Sequence, residues 1–346
     1  MSSDIQKILD NHSKVVEEGF INTGELKYRS YAVTTLRGGV GKSTLSFNLA
    51  YEISRKNSLL IADLCAQTNL TENIMRGTEY SVNILNALQP ALLGAAFGEV
   101  PEDVSYQVSK YCDSFKGGKK TYLIPGSPEL FAFPSTLYQQ LQIANAQNNA
   151  KAVKNLLEIL KKILNKEAKE KNTNKIIMDT SPFYAGGTHL AWCAADAVII
   201  PVRVDEHSIE SLALTLDLLS NPKKDFVIWN QRAENIQTPR VAAIVMTMAG
   251  AKSQKKFTPD SASRMYIERA LSIAEKYKHL FDYDDPRDAF AITDDFMSTG
   301  RISGAKSIPI AELKVNSFHT VEGKRLQVNS SADRYKRELK YLVSIL

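Results

Sequence analysis

The chain has 346 residues, 44% hydrophobic and 23% charged, with a formal net charge of +5. That balance suits a soluble α/β chain able to bury a sizeable core, and its mild basicity permits contact with nucleic acid or an anionic surface without requiring one. No stretch reaches the roughly 18 consecutive apolar residues of a membrane-spanning helix, and the opening MSSDIQKILDNHSKVVEEGF is too polar for a secretory signal, so a cytoplasmic protein is expected.

Residues 1–28 read as an added amphipathic helix, and residues 29–346 as one nucleotide-binding unit. SYAVTTL (30–36) is the first predicted strand; it leads into a glycine-rich turn, and STLSFNLAYEISRK follows with Leu45, Phe47, Leu49 and Ile53 at helical spacing. SLLIADL (58–64), TYLIPG (121–126), KIIMDT (175–180), AVIIPV (197–202) and VAAIVMTM (241–248) supply five further strands, each an apolar run bounded by polar or turn residues. Between the third and fourth, Leu156, Leu160, Ile163 and Leu164 make an apolar stripe opposite Lys154, Lys161, Lys162 and Lys166, the pattern of a helix packed on a sheet. Residues 250–289 read as an insertion and 331–346 as a closing helix. Strands alternating with helices predict a doubly wound, mainly parallel sheet covered on both faces.

The turn LRGGVGKST (36–44) lies between a strand and a helix, which is the setting of a phosphate-binding loop. Gly38, Gly39, Val40 and Gly41 let successive backbone N–H groups face phosphate oxygens, and the following helix adds its positive dipole end. Lys42 reaches the β- and γ-phosphates of ATP, and the Ser43 hydroxyl ligates Mg²⁺. The usual opening glycine is replaced by Leu36.

GGVGKST preceded by a basic residue resembles the deviant Walker A loop of the ParA/MinD family of positioning ATPases. IADLCAQTNLT (61–71) resembles that family's second motif, and IIMDTSPFYAGGTHLAWCAADAVIIPVRVDEHSIESL resembles its Walker B segment with the helix and strand that follow. The match runs from about residue 30 to 215. By that resemblance Asp179 holds Mg²⁺ through water, Asp63 sits beside the same metal, Thr44 bonds the α-phosphate, and Met246 to Met248, Thr247 and Met248 above all, lie where the family encloses adenine.

Two departures bear on catalysis. Arg37 occupies the position of the family's signature lysine, which reaches across a dimer to the partner's ATP; a guanidinium is longer, planar and able to grip phosphate bidentately. Cys65 stands where the family has a water-orienting carboxylate, with Ala66 in place of the usual proline. A mostly neutral thiol is a poor substitute, so ATP is expected to be bound well and hydrolysed slowly. The three scattered cysteines, Cys65, Cys112 and Cys193, show no metal-ligand spacing and fit reduced thiols. An iron–sulfur relative such as the iron protein of nitrogenase would need a cysteine in SPFYAGG, which has none; Cys193, within AWCAADA, reads as core.

The resemblance implies a homodimer in the ATP state that binds nonspecific DNA, sits on the nucleoid and is reset by a ParB-like adaptor. Candidate DNA contacts are Lys252, Lys255, Lys256, Arg301, Lys306, Lys324 and Arg325. Alternatives are a MinD-like membrane ATPase, an anti-activator regulator, and a small-molecule ATP-dependent enzyme of the same superfamily. SADRYKRELKYLVSIL, with Tyr335, Leu339, Leu342 and Ile345 or Leu346 opposite Arg334, Lys336, Arg337 and Lys340, serves either as a helix docked on the domain or as a membrane-surface helix.

Overall fold

The computed structural model describes residues 4–234, 236–250 and 258–346. Helix α1 (Gln6–Glu18) precedes strand β1 (Ser30–Val33), helix α2 (Lys42–Ser54), β2 (Leu59–Leu64), α3 (Asn69–Met75), α4 (Ile84–Leu93), β3 (Tyr106–Gln107) and β4 (Thr121–Ile124). Then follow α5 (Phe133–Ala146), α6 (Ala150–Leu157), α7 (Ile159–Glu170), β5 (Lys175–Thr180), α8 (Gly187–Ala194), β6 (Ala197–Arg203), α9 (Glu206–Ser220), α10 (Asp225–Arg232) and β7 (Arg240–Thr247). The chain continues through α11 (Ser261–Lys276), β8 (Phe290–Ile292), α12 (Met297–Lys306), β9 (Phe318–Val321), β10 (Lys324–Gln327) and α13 (Ala332–Ser344).

Side chains alternate across a strand, and here both faces are apolar, so each strand feeds two cores. Ala32, Leu60, Met178 and Val198 face one core with α4 to α11; Tyr31, Ile61, Ile177 and Ile199 face the other, with α2, α3 and α13. The sheet has eight strands in the order β3-β4-β2-β5-β1-β6-β7-β8, parallel throughout except for β3 against β4. The register pairs Val33 with Asp179 and Asp179 with Asp63, lining up three adjacent strands at their carboxyl ends. In doubly wound sheets ligands bind outside those ends.

Six strands lie where the sequence placed them, with ends that differ by up to three residues. The first stops at Val33, because residues 34–41 leave the sheet to form the loop, and the third stops at Ile124, before Pro125. The expected long stretch around residue 160 is divided at Glu158 into α6 and α7, and Leu157 rather than Leu156 is the buried residue there. Residues 258–289, read as part of an insertion, contain α11, the crossover helix between β7 and an unforeseen eighth strand. Its Ile267, Ala270, Leu271 and Ala274 are buried. The β9–β10 hairpin was likewise unforeseen: its short strands alternate partly buried and exposed positions with little apolar signal.

Helix α13 docks through Tyr335, Leu339 and Leu342, with Ile345 and Leu346 beyond them, all at most 5% exposed. Of the two readings of this segment the docked one holds, and its apolar face is buried in the core. Helix α1 packs alongside α13 and ends at Gly19, whose φ of 71° makes the left-handed cap. Among the described residues, no helix is long and apolar enough to cross a membrane.

Candidate functional site

Between β1 and α2 the chain has to reverse around empty space large enough for a phosphate. Gly39 and Gly41 have φ of 74° and 81°, the region that costs other residues steric strain, and a Cβ built on Gly38, Gly39 or Gly41 would meet nothing within 4 Å. It is therefore conformation, not crowding, that requires glycine at 39 and 41. Helix α2 begins at Lys42 with no side-chain cap, so its first N–H groups remain available to an anion.

The sheet register then delivers the carboxylates. Asp179, at the end of β5, is fully buried and accepts hydrogen bonds from Ser43 Oγ (2.7 Å) and Ser46 Oγ (2.8 Å). Burial raises its pKa, opposed by the Lys42 charge and the two serine hydroxyls. Asp63, its neighbour on β2, is equally buried. Its Oδ1 accepts from the Cys65 backbone N–H (3.0 Å) and its Oδ2 from the Thr71 N–H (2.9 Å) and hydroxyl (2.8 Å). Burial, then the charge of Asp179, pushes the Asp63 carboxyl up to about 7. As the structure stands, Asp63 fastens the loop after β2 while Asp179 faces the phosphate loop. The Thr71 hydroxyl also accepts from Gly126 N–H (2.9 Å), and a Cβ at Gly126 would come within 3.0 Å of the Asp63 carboxyl carbon.

Two cavities flank the loop. One of about 270 Å³ is lined by Gly38, Gly39, Gly41, Lys42, Ser43, Thr44, Cys65, Gln67, Asn69, Asn73 and Pro182. Lys42, only 8% exposed, and Cys65, 2% exposed, contribute to its wall. Burial first, and the nearby Asp63 and Asp179 charges next, raise the Cys65 thiol pKa, so this wall carries a protonated sulfur. The other cavity, a cleft of about 510 Å³, lies beyond Val40, Gly41 and Thr44 and is closed by Thr247, Met248 and the segment from Thr293 to Arg301. Thr247 Oγ1 donates to the Val40 carbonyl (3.3 Å), tying the end of β7 to the loop, whereas Met246 is buried in the core.

Other expected residues fall outside this centre. Arg37 is half-buried beside the loop, lines neither cavity and has no hydrogen-bond or ion-pair partner among the described residues. Arg301 lies on the wall of the larger cleft instead of a separate surface. Lys306 is half-buried at the end of α12, and Lys324 and Arg325 are exposed on the β9–β10 hairpin, where the Arg325 guanidinium covers the Phe318 ring at 4.1 Å. Lys252, Lys255 and Lys256 lie outside the described residues. All three cysteines are buried and unbridged, Cys193 in the core as expected.

Sequence reasoning missed the cleft wall at 293–301 and the cavity residues Gln67 and Asn73. A signal existed for the wall: FAITDD, like KIIMDT, is a short apolar run that ends in a threonine and an aspartate, here in the reverse order. Behind the phosphate loop, Trp192 Nε1 donates to Thr34 Oγ1 (3.0 Å), and Tyr184, from the loop after Asp179, packs against Trp192 in a tilted arrangement with ring centroids 5.1 Å apart.

The donor set fits the groups expected here. A hydroxyl and a carboxylate 2.7 Å apart are hard oxygen donors suited to Mg²⁺, and an open glycine cradle at a helix N-terminus suits phosphate.

Comparison with known proteins bears on the family and the fold. Residues 28–232 match the AAA_31 family model, described as an AAA domain. The chromosome-partitioning ATPase Soj of Thermus thermophilus is 24% identical over 188 residues, 54% of this chain and 59% of that protein, so the chain spans less than two thirds of this relative. Among solved structures, the ATP complex of a Cyanothece McdA variant superposes with a TM-score of 0.59 at 17% identity, covering 84% of this chain and 91% of that one. A Borrelia burgdorferi plasmid partition protein bound to AMPPNP gives 0.51 at 16% identity, covering 92% of this chain and all of the other. At such identities the two structures speak to the fold alone. With its phosphate loop, its paired strand-end aspartates and a family model spanning more than half its length, the chain belongs to the ParA/MinD family of P-loop ATPases.

Proposed function

We propose that this protein is a Mg·ATP-dependent dimerisation switch that binds nonspecific DNA in its ATP state and segregates or positions a replicon or other cargo with a ParB-like adaptor. The observation that carries the reading is the gathering of Lys42, Ser43 and Asp179 around an open glycine cradle, with Cys65 in the cavity wall where a water-orienting carboxylate is expected. Soj, a chromosome-partitioning ATPase by name, gives the cargo reading its direction.

In this reading the N–H groups of residues 38–44 and the Lys42 ammonium hold the phosphates, and Thr247 and Met248 bound the nucleoside. Ser43 and Asp179 would hold Mg²⁺, which supplies charge neutralisation of the phosphates when bound. Asp63 fixes the loop that carries Cys65. A protonated thiol accepts hydrogen bonds weakly and takes no proton from water at neutral pH, so intrinsic hydrolysis is slow. Arg37, with no partner among the described residues of its own chain, is free to reach the phosphates of a second copy. Lys324 and Arg325 on the exposed hairpin are candidate DNA contacts. The membrane reading loses its anchor, because the apolar face of α13 is buried.

Light scattering and DNA gel shifts with ATP, ADP and no nucleotide test this function. A dimer and a salt-sensitive shift, both dependent on ATP, are expected. A monomer under every condition, or DNA binding indifferent to nucleotide, would refute it.

A further inference from the structure

The wall of the larger cleft opposite the phosphate loop is residues 293–296, and it is held from behind by buried polar and ionisable side chains rather than by apolar packing alone. The Asp294 N–H donates to Glu338 Oε2 (3.1 Å), and the Asp294 carboxylate pairs with Arg334. Arg334 Nε lies 3.5 Å from Glu338 Oε1, and His12 Nε2, on α1, lies 4.0 Å from the same oxygen. Next along the wall, Phe296 meets Tyr335 with ring centroids 5.3 Å apart. Glu338 is fully buried, and Asp294 and Phe296 both line the cleft.

Burying charges is costly, and well-packed apolar residues often stabilise a fold as well or better. What the Arg334–Asp294 ion pair and the Asp294 N–H bond to Glu338 Oε2 add is a fixed geometry. We infer that Arg334 and Glu338 are positioning residues for nucleotide binding: through Asp294 they set the far wall of the nucleoside cleft against Thr247 and Met248. The inference rests on the reading of this cleft as the nucleoside site. It assigns the terminal helices a task, since His12 sets α1 within 4.0 Å of the same carboxyl group. Neither Arg334 nor Glu338 lines the cleft, so they act through Asp294 and not by contact with the ligand.

The test compares calorimetric binding of Mg·ATP and of Mg-tripolyphosphate, which engages the phosphate loop but has no nucleoside. In Glu338→Met, which removes the acceptor at similar size, tripolyphosphate affinity should stay within about 2-fold of wild type while ATP affinity falls about 10-fold, the scale of one buried hydrogen bond left unmade. Arg334→Lys, which keeps the charge but loses the planar guanidinium that pairs with Asp294, should show the same split to a smaller degree and serves if Glu338→Met does not fold. Unchanged ATP affinity in a folded variant overturns the inference, as does an equal loss for both ligands, which would mark a purely structural role. If wild type binds both ligands equally, the cleft is not the nucleoside site and the inference falls while the phosphate loop stands. If wild type binds neither, the nucleotide reading falls with it.

Discussion

Replacing Cys65 by aspartate puts a carboxylate where the family motif has one, and the structure says what that should cost. The side chain at 65 is 2% exposed and feels two buried carboxylates, Asp63 and Asp179, with Lys42 as the nearby opposing charge. A buried charge without full compensation costs about 3 to 5 kcal/mol, and Lys42 offsets part of it, so a loss of about 3 kcal/mol is expected without ligand. For a chain of this size that lowers Tm by on the order of 5 °C. Mg·ATP should restore most of the loss, because the cation and the bound phosphates change the charge balance of the same cavity. Turnover should rise by about 100-fold, the lower end of what a positioned general base contributes. Phosphate release at saturating Mg·ATP, with parallel thermal melts, measures both quantities. Cys65→Asn separates them: it fills the same space without a base, and its turnover should stay at the wild-type level. If Cys65→Asp binds ATP and melts as expected yet turns over no faster, Cys65 does not occupy the water-orienting position, and the account of slow hydrolysis is wrong.

Gly41→Ala forces a Cβ into a φ of 81° and should cost about 1 to 2 kcal/mol, read by denaturant unfolding, with a further loss of ATP affinity as the cradle distorts. Leu342→Ala, in the fully buried face of α13, should cost about 3 to 5 kcal/mol by the same assay; a cost under about 1 kcal/mol would mean that α13 is loosely docked. His189 is fully buried and burial lowers its pKa to about 3, so below pH 6.5 the unfolded chain binds a proton that the folded chain refuses. The His189 contribution to stability should therefore fall as pH drops from about 6.5 toward 3, by about 2 kcal/mol at pH 5, so in urea melts the acid-side loss should be smaller in His189→Gln than in wild type by about that amount.

The sheet was legible because its central strands are buried on both faces and read as unbroken apolar runs, and the phosphate loop because its glycines and Lys42 have few other uses. The edges were less legible for a physical reason. β3 has two residues and β8 three, too short for periodicity to register, and β9–β10 stand on the surface with little apolar signal. At the site, the motif gave the residue types, but only the register of β2, β5 and β1 shows that Asp63 is spent on Thr71 and Cys65 while Asp179 faces Ser43. The wall at 293–301 comes from the region beyond the family match, where pairing across the fold, not local pattern, brings Asp294 to Glu338.

Trp192 and Trp229 are the chain's two tryptophans. The Trp192 indole, fully buried, touches Thr34 just before the phosphate loop and Tyr184 just after Asp179, whereas Trp229 lies under the Arg232 guanidinium at 4.7 Å. The protein thus carries a built-in optical probe of its own nucleotide cycle. A change in either flanking loop alters the dipoles around Trp192, so Trp229→Phe would leave a single emission band whose shift follows ligand binding in real time without any added label.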